Sequence, residues 1–237
     1  MTSEAPSNRS ANLAMVRLLQ LASPALPVGA YSYSQGLEAA IESGAVTDRA
    51  TAERWIGDML RHSVAKLEAP VWLHLHAAWS DADVSAAHEW NDFFLATRES
   101  AELRAETVQM GYSLRRLLND LDDESFDARN LGAFNAWDEI AFPAAFAFAA
   151  AHWRIPADDG LQAYLWSWLE NQVMAAVKAV PLGQTDGQRM LARLGAEIVI
   201  TIEKCTAADV PEMNNYCHGL AIASSVHETQ YSRLFRS

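Results

Sequence analysis

Cysteine is almost missing from this 237-residue sequence. Only Cys205 and Cys217 are present, too few to frame a disulfide-built secreted fold and in keeping with two reduced thiols in the cytosol. Basic residues are scarce as well. There are 18 Lys and Arg against 30 Asp and Glu, a formal net charge of -12, and such a surface repels phosphate backbones, so no nucleic-acid partner is expected. No apolar run approaches the roughly 18 residues a membrane-spanning helix requires, and the longest weakly polar stretch, residues 140–151, is too short to cross a bilayer. Residues 1–10 lack the basic start and apolar stretch of a signal peptide. The composition of a disordered chain is also lacking, since 50% of residues are hydrophobic and 20% charged. These absences leave a cytoplasmic globular protein, off the membrane, with flexible ends at about residues 1–10 and 227–237.

The signatures of common catalytic and metal sites are missing too. Residues 183–188 read Gly183-Gln184-Thr185-Asp186-Gly187-Gln188, without the Gly-Lys-Ser/Thr or preceding strand of a phosphate-binding loop. Gly-x-Ser-x-Gly does not occur. His74 and His76 are two apart, which on a helix sets them roughly 200° apart, so they cannot share an ion. Cys217 and His218 supply two ligands at best, with His227 a distant third, and these are only weak candidates for a transient metal contact. No permanent metal site and no resident cofactor are expected. Asp120, Asp122, Asp123 and Glu124 are similar in composition to the Mg²⁺ motif of all-helical prenyl synthases. They crowd a helix end with no basic diphosphate pocket, and a solvated loop explains them better.

What is present is helical periodicity. Leu103, Thr107, Met110, Leu114, Leu117 and Leu121 fall on one helix face. So do Trp72, Leu75 and Trp79; Leu161, Leu165, Trp168 and Gln172; and Leu191, Leu194, Ile198 and Ile202. Thr47-Asp48 predicts a helix start running through Lys66, Asp158-Asp159 another before Leu161, and Gly44 and Gly183 read as stops. Strand signals are confined to residues 198–202, whose flanks are helical in pattern. The prediction is an all-α, single-domain bundle of about ten helices over residues 1–237, with residues 121–135 the most loop-like interior stretch.

Two segments break the pattern. Residues 23–36 hold two prolines and two glycines, yet the side chains between them are apolar or aromatic, either a buried connector or a shaped contact loop. The last residues interleave Tyr231, Leu234 and Phe235 with Arg233 and Arg236, the composition of interface anchors. Lys178 stands alone in an uncharged run, read either as a lysine snorkelling at a helix C-terminus or as one facing a partner. Residues 161–180 carry more apolar width than one core stripe needs, and Trp166 is the outlying aromatic, a candidate for a dimer interface.

Three stretches resemble the urease accessory protein UreF family. They are Leu18-Leu19-Gln20-Leu21-Ala22-Ser23-Pro24-Ala25-Leu26-Pro27-Val28-Gly29-Ala30-Tyr31-Ser32-Tyr33-Ser34-Gln35-Gly36-Leu37-Glu38, Lys178-Ala179-Val180-Pro181-Leu182-Gly183-Gln184-Thr185-Asp186-Gly187-Gln188, and His227-Glu228-Thr229-Gln230-Tyr231-Ser232-Arg233-Leu234-Phe235-Arg236-Ser237. Between about residues 80 and 155 only general helical character is shared. The resemblance implies an all-helical, cytoplasmic homodimer that is not an enzyme. It would bind the accessory protein UreD (UreH in some systems), recruit the GTPase UreG, couple or gate GTP hydrolysis, and help load nickel into apo-urease. The complex, not this chain, would handle the nickel. Partner-binding candidates on the three motifs are Tyr31, Tyr33, Ser34, Gln35, Glu38, Lys178, Gln184, Asp186, His227, Glu228, Gln230, Tyr231, Arg233, Leu234, Phe235 and Arg236. The competing classes are a Mg²⁺-dependent all-α enzyme, which would need Asp122 and Asp123, and a stand-alone nickel chaperone, which would need Cys217 or His218.

Overall fold

The computed structural model describes residues 8–121, 123–207, 213–215 and 217–237. Among them are α1 (Asn8–Leu21), α2 (Leu37–Glu42), α3 (Arg49–Met59), α4 (Ala69–Ser80), α5 (Val84–Ala96), α6 (Ala101–Asp120), α7 (Ala128–Asn135), α8 (Phe142–His152), α9 (Ala157–Ala179), α10 (Gln184–Ala207) and α11 (His218–His227), and no strand. Asp48 starts α3 as expected, its carboxylate accepting from Thr51 N at 2.9 Å while Thr51 reaches back to the Asp48 amide. The helix does not stop at Lys66. Residues Leu60–Glu68 continue in π register into α4, so Arg49–Ser80 is one unbroken run, and with that run counted once the helices number ten. The stretch expected to be loop-like also holds a helix, because Asp127 accepts from the amides of Arg129 and Asn130, each at 3.0 Å, and nucleates α7.

The apolar stripes read from spacing are buried. Trp72, Leu75 and Trp79 of α4, Leu161 and Leu165 of α9, and Leu191, Leu194, Ile198 and Ile202 of α10 all lie in one continuous core. On α6 the stripe holds through Leu114, after which Leu118 takes the core position and Leu117 and Leu121 are only partly covered. At the centre is α8, too short and too apolar to be anything but a core helix; every residue from Phe142 to Ala150 is buried, against α4 and α6. It has no capping side chain of its own. Its leading amides are satisfied by neighbours: Ala141 N donates to Asn91 Oδ1 at 2.8 Å and Phe142 N to Thr107 Oγ1 at 3.0 Å. The Phe148 ring stacks on Phe134 at 4.1 Å and meets Trp79 edge-on at 4.9 Å.

Asp123 anchors α1. It accepts from Arg17 Nη2 at 2.5 Å and from Trp153 Nε1 at 3.2 Å, while the Arg17 guanidinium lies 4.8 Å over the Trp153 ring. Asp120 pairs loosely with Arg116 of its own helix at 3.8 Å. Asp123 thus holds elements together, and Asp122 lies outside the described residues. Among the described residues no helix is long and apolar enough to cross a membrane.

Gly111 is where α6 and the entry to α8 touch backbone to backbone. A Cβ there would stand 2.9 Å from the carbonyl carbon of Ala141. Gly111→Ala should therefore force the two apart and cost about 1–3 kcal/mol in urea unfolding, whereas Gly132→Ala, with nothing within 4 Å, should be neutral or stabilising. Equal effects at the two positions would contradict this packing.

Candidate functional site

The loop after α1 is held by its own sequence. Pro24 and Pro27 end the helix, a single 3-10 turn spans Ala30–Ser32, and Gly36 adopts a left-handed φ of 77° to turn the chain into α2. Gly36 also lets α11 approach, since a Cβ there would lie 3.1 Å from Ser224 N. Leu26, Val28 and Ala30 of the loop face α6 and α9 across a cavity of about 270 Å³, with Tyr31 and Lys178 among its lining residues. The Lys178 ammonium lies 5.8 Å from the centre of the Tyr31 ring, and both side chains are exposed.

Polar groups line the same cavity. Glu68 accepts from the Tyr164 hydroxyl and lies 3.5 Å from Arg98, whose guanidinium covers the Phe94 ring at 4.1 Å. Burial, and then the Glu68 charge, push the Tyr164 phenol well above its ordinary value. Glu106 on α6 accepts from Gln35 Nε2 at 2.8 Å and from Ser237 Oγ at 2.6 Å. Gln35 in turn accepts from Trp168 Nε1 at 2.8 Å, which fixes its amide orientation. Removal from water raises the Glu106 carboxyl to about 7, against the pull of the Ser237 and Gln35 donors.

The tail is not the loose chain end its position suggested. Three carboxylates give it a seat. Glu38 accepts from the amides of Leu234 and Phe235 at 2.6 and 2.9 Å, Glu102 from Arg233 at 2.5 Å, and Glu106 from Ser237. Backbone pairs complete it: Arg236 N donates to Ser32 O at 2.8 Å and Ser34 N to Ser237 O at 2.8 Å. Phe235 is buried in the chain's own core instead of being held out for a partner, and Arg233 is paired internally. Tyr231 and Leu234 remain fully or largely exposed.

The other predicted residues divide. Tyr33, Ser34 and His227 are buried, and Asn171 Nδ2 donates to Tyr33 O at 3.1 Å, so they act from inside. Glu228 accepts from Ala101 N at 2.8 Å and caps α6, while Gln230 closes a local turn on Ser232 O at 3.0 Å. Gln184 is exposed in the first turn of α10, and Asp186 there pairs with Arg189 at 3.1 Å and Arg49 at 3.7 Å, joining α10 to α3. Trp166 is partly exposed beside Gly195, in a groove that Met15 and Leu19 also line. Cys217 and His218 start α11 and His227 ends it, so the three nickel candidates do not converge. Among the described residues no group of three His, Cys, Asp or Glu could hold a metal ion. Glu68, Arg98, Glu102 and Glu106 escaped sequence reading. The available signal was Glu102 and Glu106, one turn apart beside the apolar stripe of α6.

A proton on Glu106 links stability to pH. In the unfolded chain it would ionise near 4.5, whereas in the folded chain it keeps its proton to about 7. Folding therefore binds the extra proton between those values; this stabilisation is full below 4.5 and is lost as pH rises through about 7. Glu106→Gln should gain on the wild type as pH rises, approaching about 3 kcal/mol by about pH 8 in urea unfolding. A variant-to-wild-type difference that stays constant with pH would contradict the burial of this group.

A family model for UreF matches residues 46–195. The chain is 60% identical to the urease accessory protein UreF of Azoarcus sp. (strain BH72) over 225 residues, covering 95% of this chain and 96% of that one. It is 53% identical to the urease accessory protein UreF of Dechloromonas aromatica (strain RCB), covering 95% and 98% of the two chains. Its identity to the protein of the same name from Methylobacillus flagellatus is 50%, covering 96% and 100%. With likeness of this degree along nearly its whole length, and all-α architecture to match, the chain belongs to the urease accessory protein UreF family.

Proposed function

We propose that this protein is a non-catalytic docking scaffold in urease maturation. It captures a UreD/UreH-type partner, recruits the UreG GTPase, and so helps load nickel into apo-urease in the cytoplasm, coupling or gating the GTPase step. The nickel is handled by the assembly and is not a resident cofactor of this chain. One observation carries the reading: the first and last family-like motifs interlock, and the Lys178 end of the central motif meets the first. Tyr31 meets Lys178 at 5.8 Å, and Glu38 holds the Leu234 amide at 2.6 Å. Their inward groups fix the backbone while Tyr31, Tyr231 and Leu234 face outward, joined on α11 by exposed Ile222 and Val226. Rigid, exposed aromatic and aliphatic anchors on a polar surface are how a partner is engaged at low ordering cost.

Tyr231→Ala with Leu234→Ala should leave stability within about 1 kcal/mol, since neither side chain is buried, yet weaken co-purification with the UreD/UreH-type partner and reduce urease activation in a reconstituted assay. Lys178→Ala should likewise stay folded and reduce activation. Full activation by either folded variant would remove that surface from the mechanism.

The scaffold is proposed to act as a homodimer. Leu13, Val16 and Leu19 of α1 are 59, 60 and 64% exposed, an unusual apolar stripe beside the groove that holds Trp166. Val16→Glu with Leu19→Glu should convert a dimer to a monomer in light scattering at micromolar concentration. A wild-type chain that is monomeric there would refute the dimer.

A further inference from the structure

His227 ends α11 with no exposed surface and stands between two carboxylates. Its Nδ1 lies 2.6 Å from Glu102 Oε2 and its Nε2 lies 3.3 Å from Glu38 Oε2. An ionised carboxylate only accepts, so each contact needs an N–H from the ring. The neutral imidazole has one N–H and the imidazolium has two. Local charge gives the same answer. The groups facing the ring are Glu38 from α2 and Glu102 from α6, with Arg233 of the tail behind Glu102 at 2.5 Å. Two carboxylates and one guanidinium leave one net negative charge against a fully buried ring, which a second ring proton neutralises. Glu106, one turn further along α6, is held by Gln35 and Ser237 and not by the ring, and Glu228 is turned to the start of α6.

The same two carboxylates hold the tail, Glu38 through the amides of Leu234 and Phe235 and Glu102 through Arg233. We propose that His227 is a proton-operated latch: the doubly protonated ring bridges Glu38 and Glu102 and keeps residues 228–237 seated, and loss of one proton frees them. A neutral ring turns a lone pair toward one carboxylate. That carboxylate, largely withdrawn from water and ionised, is then one donor short, and its escape toward water withdraws the acceptor from the tail. The consequence for partner capture rests on the tail being a contact surface, because only a seated tail fixes Tyr231 and Leu234 in place.

The test uses the intact ¹⁵N-labelled protein and needs no partner. NMR would follow the His227 ring nitrogens and the amides of residues 230–237 from about pH 5.5 to 8.5. The expected result is two N–H groups on the ring at low pH, and a loss of tail amide protection of about tenfold that shares the ring's midpoint. His227→Gln, neutral and with one donor and one acceptor, should abolish that midpoint, and Glu106→Gln should keep it. A ring that does not titrate in this range, a tail that stays rigid while the ring titrates, or a midpoint that survives in His227→Gln or vanishes in Glu106→Gln would overturn the latch. If His227→Gln does not fold, coincidence of ring and tail in the wild type decides. Partner affinity measured against pH is a separate arm. If affinity is flat while the ring and tail move together, the latch stands and the contact-surface reading fails.

Discussion

Glutamates largely withdrawn from water, which must find donors, set the geometry around this site. An ionised carboxylate removed from water costs several kcal/mol unless hydrogen bonds replace its hydration. Glu38, Glu102 and Glu106 lie on α2 and α6, and the helical amides nearby are already committed to their own helices. Donors therefore come from segments without helical partners: the loop side chain Gln35, the tail amides of Leu234 and Phe235, and the side chains of His227, Arg233 and Ser237. The need for donors at the helices and the need for acceptors in the tail are met in one arrangement. This is why a chain end rich in polar residues is folded back over the body.

The helical body was legible because its signals are local. Stripes such as Trp72-Leu75-Trp79 and Leu191-Leu194-Ile198-Ile202 follow from the 3.6-residue period alone, and all are buried. The errors fell where tertiary contacts override local signals. Nothing near Lys66 marks the π register that carries α3 into α4, and a strongly acidic stretch concealed the capping aspartate of α7. The site was half legible. Its two unusual segments stood out by composition, but their mutual contacts join residues about 200 apart, such as Ser34 with Ser237, separated by 203 positions. Periodicity carries no information at that range. Phe235 and Arg233 have the composition of interface anchors, and only the seat on α2 and α6 shows that their partners lie within the chain.

Surface and interior have separate tasks in this arrangement. Tyr33, Ser34 and His227 are buried and Gln35 is half-buried, all turned inward, whereas Tyr31, Lys178, Tyr231 and Leu234 are exposed. The proposed scaffold role would gain from this division. The exposed groups can be held in a fixed array without being part of the core, so a partner meets surface whose ordering cost has already been met in folding. The cluster of Glu68, Arg98 and Tyr164 beneath the loop serves the same end, tying α9 to the start of α4 and to the connection between α5 and α6.

The titratable groups of the tail seat give it a direction. With the ring protonated, Glu38 and Glu102 balance His227 and Arg233, and Glu106 is neutral at pH values below about 7. As pH rises through about 7, Glu106 gains a negative charge, so the seat shifts toward the negative. The effects on the tail differ. An ionised Glu106 is a better acceptor for the Ser237 hydroxyl, while in the proposed latch a neutral ring leaves Glu38 or Glu102 one donor short. The end of the tail is thus gripped more firmly as its root is let go. A chain with net charge -12 has little spare cation to restore the balance.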